Sequence, residues 1–143
     1  MPEEQQQANF ELAQQRLARF SNRTVFLRMF TSEAVKQIQD ESLDWVYIDA
    51  RHDYCGCWED MLQWWPKLRP NGLFMGHDYI TAAGVRQIHP QEDWSLCANG
   101  TRHEGAVEGA VRDFAQLHFL TVAVTYAEGH PWKSWMAALQ APC

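Results

Sequence analysis

Basic residues are scarce in this sequence and form no cluster. Only 12 of the 143 residues are Lys or Arg, against 18 Asp and Glu, and the formal net charge at pH 7 is −6. Such a surface offers little attraction to the phosphates of a nucleic acid or to an anionic membrane. We therefore expect neither of them as a partner, and a small molecule or a protein is the expected ligand.

Long apolar runs are also absent. No run reaches the roughly 20 residues that a membrane-spanning helix needs, and the polar, acidic first eight residues do not resemble a secretory signal. Of the 4 cysteines, Cys55 and Cys57 are too close together for the usual zinc knuckle. We expect reduced thiols in a cytoplasmic protein.

The residues that are present can build a core. With 46% apolar residues, the chain has enough material for a single domain over residues 1–143. Helical spacing of apolar residues predicts helices from Asn9, near Thr31, around Trp58 and from Val107. The predicted strands are Thr24–Arg28, Leu43–Asp49, Leu73–Gly76, Leu120–Tyr126 and Ser134–Leu139.

The order of these elements indicates an α/β fold. Helices alternate with strands up to the last two strands, which is typical of a mostly parallel sheet with an antiparallel last strand at its edge. Leu43–Asp49 is nearly continuous in apolar residues, as in a parallel strand covered on both faces. The long polar segment 81–103 is a candidate lid or insertion.

Two strong strands end in groups that can bind metals or move protons. Asp49 and His52 follow the first, and His77 and Asp78 follow the second. Ligands of open parallel sheets bind beyond the carboxyl ends of the strands. If the two strands are neighbours, about 4.8 Å apart, these side chains converge on one ion or one substrate hydroxyl. Mixed carboxylate and imidazole ligation suits a borderline divalent metal, and a histidine can also serve as a general base.

A purely structural role is the alternative for every one of these residues. Asp, His and Tyr at strand ends also form turns and cap helices. We prefer that interpretation for Asp53 and Tyr54, and we regard function and structural hydrogen bonding as equally supported for His52 and His77. The other four histidines, at positions 89, 103, 118 and 130, are expected to be ordinary surface or loop residues.

The combined motifs resemble a known family. They are Asp44-Trp-Val-Tyr-Ile-Asp-Ala-Arg-His-Asp-Tyr54, Glu59-Asp60, Trp65-Pro-Lys-Leu-Arg-Pro-Asn-Gly72, Gly76-His-Asp-Tyr79 and Val107-Glu-Gly-Ala-Val-Arg-Asp-Phe114. Together they resemble the second half of a class I S-adenosylmethionine-dependent methyltransferase, and more narrowly the small O-methyltransferase-like group. The likeness runs from about Phe10 to Trp135.

The resemblance implies roles for particular residues. In metal-dependent relatives, acids at the ends of the fourth and fifth strands hold a magnesium-type ion that orients the acceptor hydroxyl. Asp49 and Asp78 would be those ligands here, with His52 or His77 as an extra ligand or base. Thr31 and Ser32 stand where the family often has an Asp-Ser pair near the adenine, and with Asp49 they would contact the cofactor.

The resemblance also implies a Rossmann-like sheet that lacks the family's first two strands. The glycine-rich cofactor loop and the acid that holds the ribose would both lie before Phe10. Without its usual neighbours, Thr24–Arg28 would move beside the next strand, or the sheet edge would be covered by a partner chain. A homodimer through that edge is one way to cover it.

Three functions are compatible with the sequence. The first is metal-assisted methyl transfer from S-adenosylmethionine to an oxygen atom of a small molecule. The second is an inactive methyltransferase-like remnant that acts as a binding or oligomerisation module. The third is metal-dependent hydrolysis by the four strand-end residues, for which the spacing points to no substrate.

Overall fold

A computed structural model describes residues 2–126 and 131–139 of the chain. The chain divides after Phe30 into two compact units. Each unit is described separately, and a single domain over residues 1–143 stays a prediction.

The first unit is built around helix α1, Glu3–Leu17, which continues into a 3-10 turn at Ala18–Arg23. The predicted start at Asn9 was wrong. The preceding residues are polar helix formers with acids in the first turn, and they carry no apolar repeat that would reveal a helix. Phe10 packs edge-on against Phe26, with 5.5 Å between the ring centroids.

The predicted strand Thr24–Arg28 was also wrong, because these residues form no strand. Val25 is 84% exposed. A β-branched run becomes a strand only when a neighbouring strand pairs with its backbone, and propensity alone does not provide one.

The second unit begins with α2, Thr31–Ala34, a single helical turn extended by a 3-10 turn at Val35–Gln37. Its sheet has four strands within the described residues, in the order β1-β2-β4-β3. They are β1 Leu43–Ile48, β2 Leu68–Gly76, β3 Leu120–Val124 and β4 Trp135–Leu139. The α/β, Rossmann-like sheet is confirmed.

Strand directions follow the expected pattern with one correction. β1 pairs in parallel with β2, whereas β4 is antiparallel to both of its neighbours, β2 and β3. The last strand is therefore antiparallel as predicted, but it lies inside the sheet rather than at its edge. Its alternation of buried Trp135 and Ala137 with exposed Met136 shows that it contributes to the core from this position.

Helix α3, Tyr54–Trp64, connects β1 to β2, and helices α4, Ala82–Ile88, and α5, Ala106–Leu117, follow β2. Helix α3 starts where the Asp53 side chain accepts a hydrogen bond from the Gly56 backbone N–H. The predicted structural role of Asp53 is therefore confirmed. Helix α4 lies in the segment 81–103, so only the part after it is an irregular connection.

The main core lies between one face of the sheet and helices α3 and α5. Phe114 from α5 is at its centre, with ring centroids 5.6 Å from both Trp65 and Phe74 and 5.9 Å from Trp58. Met61 from α3 is fully buried in the same cluster. This packing fixes the two helices against the strands whose ends carry the predicted site.

The other face of the sheet is apolar and remains exposed in the single chain. Its exposed side chains are Trp45, Tyr47, Leu73 and Met136. β1 is an edge strand of the sheet and pairs only with β2 among the described residues. Apolar side chains on a sheet of this kind are normally covered.

The prediction of reduced thiols was wrong for two of the four cysteines. Cys55 at the start of α3 forms a disulfide with Cys97, across 42 residues of sequence. Cys57 is a buried free thiol, and burial raises its pKa to about 12. Cys143 lies outside the described residues. The spacing of the cysteines along the sequence did not predict the Cys55–Cys97 disulfide, because only the folded chain brings these two sulfurs together.

No helix within the described ranges is both long enough and apolar enough to span a bilayer.

Candidate functional site

The two predicted strand ends lie side by side. Ile48 of β1 is in register with Gly76 of β2, and the His77 backbone N–H donates to the Ile48 carbonyl at 3.0 Å. Because the strands are parallel, Asp49 and His77 leave the sheet at the same edge. The condition stated for convergence of these side chains, that the two strands are neighbours, is met.

Three side chains form a compact acid–imidazole cluster, Asp49, His52 and Asp78, whose ligand atoms lie within 4.8 Å of one another. His52 Nε2 is 3.1 Å from Asp78 Oδ2 and 3.9 Å from Asp49 Oδ1. The side chain of Asp78 is only 11% exposed, whereas that of Asp49 is 52% exposed. The cluster therefore has a buried side and a side open to solvent.

The backbone at Asp78 turns sharply. Its φ is 58°, in the left-handed region that most residues avoid but that Asp tolerates better than most. Two hydrogen bonds hold the flanking residues: Trp135 Nε1 donates to the His77 carbonyl, and the Tyr79 N–H donates to the Lys133 carbonyl. The turn directs the Asp78 carboxylate back toward His52.

Asp78 lies between two imidazoles. His77 Nδ1 is 2.9 Å from the second carboxylate oxygen, Oδ1. Burial alone would raise the pKa of Asp78, but the hydrogen bonds and positive charges of His52 and His77 outweigh it and lower the pKa. The hydrogen bond to Asp78 in turn raises the pKa of His52 above its ordinary value.

These shifts predict a pH window for the His52–Asp78 pair. A raised histidine pKa contributes stability that is fully present below about pH 6.5 and is lost as the pH rises through the folded-state pKa. A lowered aspartate pKa contributes stability that is present above about pH 4 and is lost as the pH falls. Wild type and His52→Gln should therefore differ most in unfolding free energy between about pH 4 and 6.5, as measured by urea denaturation. A difference in unfolding free energy between wild type and His52→Gln that grows above pH 8 would contradict the ion pair of His52 with Asp78.

Aromatic rings cover His52 on its other side. The imidazole stacks on Trp94 with 4.4 Å between centroids, and Trp94 stacks on Trp132 at 5.3 Å. His89 is parallel to Trp132 at 5.6 Å. Sequence periodicity does not predict the stacking of Trp94 on His52, because it does not show which ring a loop residue will contact.

A cleft of about 270 Å³ lies along β1 and reaches the same strand end. Asp49, Ala50 and Trp64 are among its lining residues, together with Thr31 and Asp60. Thr31 Oγ1 donates to Asp60 Oδ1 at 2.5 Å. Burial raises the pKa of Asp60, although the Thr31 hydrogen bond opposes that rise. Asp49 thus belongs both to this cleft and to the acid–imidazole cluster.

The matching family model carries the description "methyltransferase domain" and covers residues 1–79, more than half of the chain. The chain belongs to the methyltransferase domain family. The family expected from the strand-end motifs is therefore confirmed. The match includes the cleft, β1, α3 and β2 with its His77-Asp78 pair.

Solved structures share the methyltransferase fold at low sequence identity. A protein from Corynebacterium glutamicum has a TM-score of 0.64 at 14% identity, and the alignment covers 99% of this chain and 59% of that one. A protein from Klebsiella pneumoniae to which O-methyltransferase activity has been attributed has a TM-score of 0.56 at 18% identity, covering 94% and 57%. The O-methyltransferase from Bacillus cereus, in complex with SAH, also has a TM-score of 0.56 at 18% identity, covering 91% and 57%.

A curated relative also matches. The uncharacterized protein y4gI of Sinorhizobium fredii (strain NBRC 101917 / NGR234) is 38% identical over 64 residues, which are 45% of this chain and 7% of that protein. This chain therefore spans a small part of that relative and less than two thirds of each solved structure.

Within this methyltransferase domain, the predicted site residues fall into two groups. Asp49, His52, His77 and Asp78 meet at one sheet edge. Thr31 lines the cleft, but its neighbour Ser32 is exposed and does not. The roles assigned to all of them stay predictions. Asp60 was missed as a cleft residue, although its place in the Glu59-Asp60 motif was a usable signal.

Proposed function

We propose that this domain takes part in methyl transfer from S-adenosylmethionine to an oxygen atom of a small molecule, assisted by a divalent cation. The observation that carries the proposal is the position of Asp49, which lines the cleft and also belongs to the acid–imidazole cluster. A single carboxylate at that boundary links the place where a cofactor would bind to the place where an acceptor would be activated.

The cleft residues suit the polar parts of the cofactor. Thr31 and Asp60 offer a hydroxyl and a buried carboxyl group, and Trp64 offers an aromatic surface beside them. These groups can bind an adenine or a ribose through hydrogen bonds and stacking. When bound, S-adenosylmethionine supplies an electrophilic methyl group on a sulfonium. The chain's task is then to place that group and the acceptor oxygen in line.

The acid–imidazole cluster suits a divalent cation such as Mn²⁺, which binds carboxylate oxygens and accepts an imidazole, with Mg²⁺ favoured if only the oxygens bind. Asp49 and Asp78 would supply carboxylate oxygens, and His52, placed between them, would be the third ligand. A bound cation would lower the pKa of an acceptor hydroxyl and hold it at the open side of the cluster.

The two histidines beside Asp78 have different proposed roles. His77 approaches Asp78 from the oxygen opposite to the one that faces His52. We assign His77 as the general base that accepts the proton of the acceptor hydroxyl, because His52 would be a metal ligand when the cation is bound. Asp78 Oδ1 would orient the His77 ring, as carboxylates commonly do for proton-accepting histidines.

Calorimetry with S-adenosylhomocysteine tests the cofactor part directly. We expect binding to the wild-type chain, and we expect Thr31→Val to weaken it by about 3- to 10-fold, the value of one hydrogen bond. Thr121→Val, the same change at an exposed position on β3, should leave the affinity unchanged. Absence of any heat of binding at millimolar ligand would overturn the proposal for this chain.

A second candidate is a binding or oligomerisation module, and the exposed apolar face of the sheet favours it. A second copy that contacts the outer edge of β1 and also packs over this face would cover Trp45 and Tyr47 and give a homodimer. Light scattering should then give the dimer mass for the wild type and a monomer for Trp45→Lys. A monomeric wild type at high concentration would remove this candidate.

The compartment is a further proposal. The cytoplasm remains the location predicted from the sequence, whereas a Cys55–Cys97 disulfide is more typical of an oxidising environment. Free thiols can be counted in protein extracted from cells under acid quench. Free Cys55 and Cys97 thiols would favour the cytoplasm, and a disulfide between them would favour an oxidising compartment.

A further inference from the structure

The disulfide lies within a second group of metal-binding side chains. The sulfurs of Cys55 and Cys97 and a ring nitrogen of His103 lie within 4.8 Å of one another. We call these three residues the thiol–imidazole cluster. Ligand atoms around one tetrahedral zinc ion are roughly 3.3 to 3.8 Å apart, given bonds of about 2.0 to 2.3 Å. The two bonded sulfurs would separate to about this distance after reduction, and the His103 nitrogen already lies within 4.8 Å of both.

A tight hairpin fixes two of the three ligands. The Cys97 N–H donates to the Thr101 carbonyl, and the His103 N–H donates to the Ser95 carbonyl. At the tip, Asn99 Oδ1 accepts from both the backbone and the hydroxyl of Thr101. Cys97 and His103 are thus held in place by backbone bonds that do not depend on the disulfide.

The remaining contacts orient the imidazole and favour a thiolate. The ring of His103 stacks on Tyr54 with 4.3 Å between centroids, which restricts its rotation. Cys55 lies in the first turn of the 11-residue helix α3, where the helix dipole stabilises negative charge on sulfur. Thr101 Oγ1 also lies 3.6 Å from Cys55 Sγ.

We propose that, once the disulfide is reduced, Cys55, Cys97 and His103 bind a soft divalent cation, with Zn²⁺ as the expected ion. Two thiolates and an imidazole form a ligand set that selects zinc over magnesium or calcium. The site is distinct from the acid–imidazole cluster, whose two carboxylates favour harder cations, and it does not depend on methyl transfer.

The two states use the same sulfur atoms and exclude each other. A dithiol reductant supplies two electrons and two protons, so that the S–S bond becomes two thiols and the reductant becomes its own disulfide. Zinc binding then displaces the two thiol protons to solvent, forms two Zn–S bonds and one Zn–N bond, and takes a water molecule as fourth ligand. The exposed edge of His103 gives that water access.

Either state ties the start of α3 to the hairpin. The residues just before that hairpin include Trp94, which stacks on His52. With the Cα atoms of Cys55 and Cys97 5.7 Å apart, the change from disulfide to metal needs side-chain rotation but little movement of the backbone. The metal would therefore replace the disulfide as a cross-link under reducing conditions.

Cobalt provides the test, because thiolate-to-Co²⁺ charge transfer gives a near-ultraviolet band that carboxylate ligands do not give. The full chain is reduced with a phosphine, titrated with Co²⁺ and then with Zn²⁺. We expect about one equivalent of Co²⁺ to produce the band and Zn²⁺ to abolish it. The oxidised chain should give no band.

Variants separate this site from other thiols. His103 is exposed, so His103→Ala should fold normally and should weaken Co²⁺ binding by more than about 10-fold. Cys97→Ser should remove the band, while Cys57→Ala, which changes only the buried free thiol, should keep it. The proposal would be overturned if the reduced wild type gave no band. It would also be overturned if reduced His103→Ala and Cys97→Ser gave bands as strong as that of the wild type at the same Co²⁺ concentration.

Discussion

Phe114→Ala should destabilise the second unit by about 3 to 5 kcal/mol, the range for removing a large aromatic side chain from a packed core. The ring is 1% exposed and packs against the rings of Trp58, Trp65 and Phe74. Those neighbours come from α3, the turn after it and β2, so they cannot close the cavity without moving the backbone. The change is measured by urea denaturation followed by far-ultraviolet circular dichroism.

Leu117→Ala in the same helix is the matched control. Leu117 is 57% exposed, and its loss should cost well under about 1 kcal/mol. Because both variants place alanine in α5, helix propensity contributes little to the difference between them. Equal destabilisation by the two substitutions would mean that α5 does not pack on the sheet as described.

Asp78→Asn should weaken Mn²⁺ binding by at least about 10-fold, and methyl transfer should fall with it if the proposed function is right. The substitution keeps the size of the side chain, and Asn tolerates the left-handed backbone at this position, where φ is 58°. It removes one negative charge from the ligand set and replaces one of the two carboxylate oxygens that face His52 and His77 with an amide NH₂. The measurement is a calorimetric titration with Mn²⁺ at pH 7.

Asp44→Asn provides the comparison. Asp44 lies near the opposite end of β1, where its exposed carboxylate pairs with Arg69 at 2.9 Å. It has the same chemistry as Asp78 but takes no part in the acid–imidazole cluster. If the two variants bind Mn²⁺ as tightly as the wild type, the metal ligands lie elsewhere, even if S-adenosylhomocysteine still binds.

Sequence patterns predicted the elements whose burial is periodic. β1 reads as a continuous apolar run, and α5 repeats apolar residues at helical spacing from Val107 to Phe114, so both were placed within a residue or two. The strand-end groups Asp49, His52, His77 and Asp78 were also found, because parallel topology alone brings strand ends together. Their convergence needed no knowledge of side-chain packing.

Other features depend on contacts between distant parts of the chain, and local patterns do not contain them. Thr24–Arg28 has the composition of a strand but no partner for its backbone. The Cys55–Cys97 bond and the stacking of Trp94 on His52 join residues 42 positions apart in each case. His103 was treated as an ordinary loop residue for the same reason.

The interior position of β4 has a consequence for the order of folding. β2 and β3 are not neighbours, and each of them pairs with β4. During synthesis, β3 therefore leaves the ribosome with no strand to join, and the sheet can close only after Trp135–Leu139 has emerged. The pairing of β2 with β4, which are far apart along the chain, is slow. A nascent chain stalled before Trp135 should thus expose the apolar side chains of β3 and be a preferred substrate for chaperones.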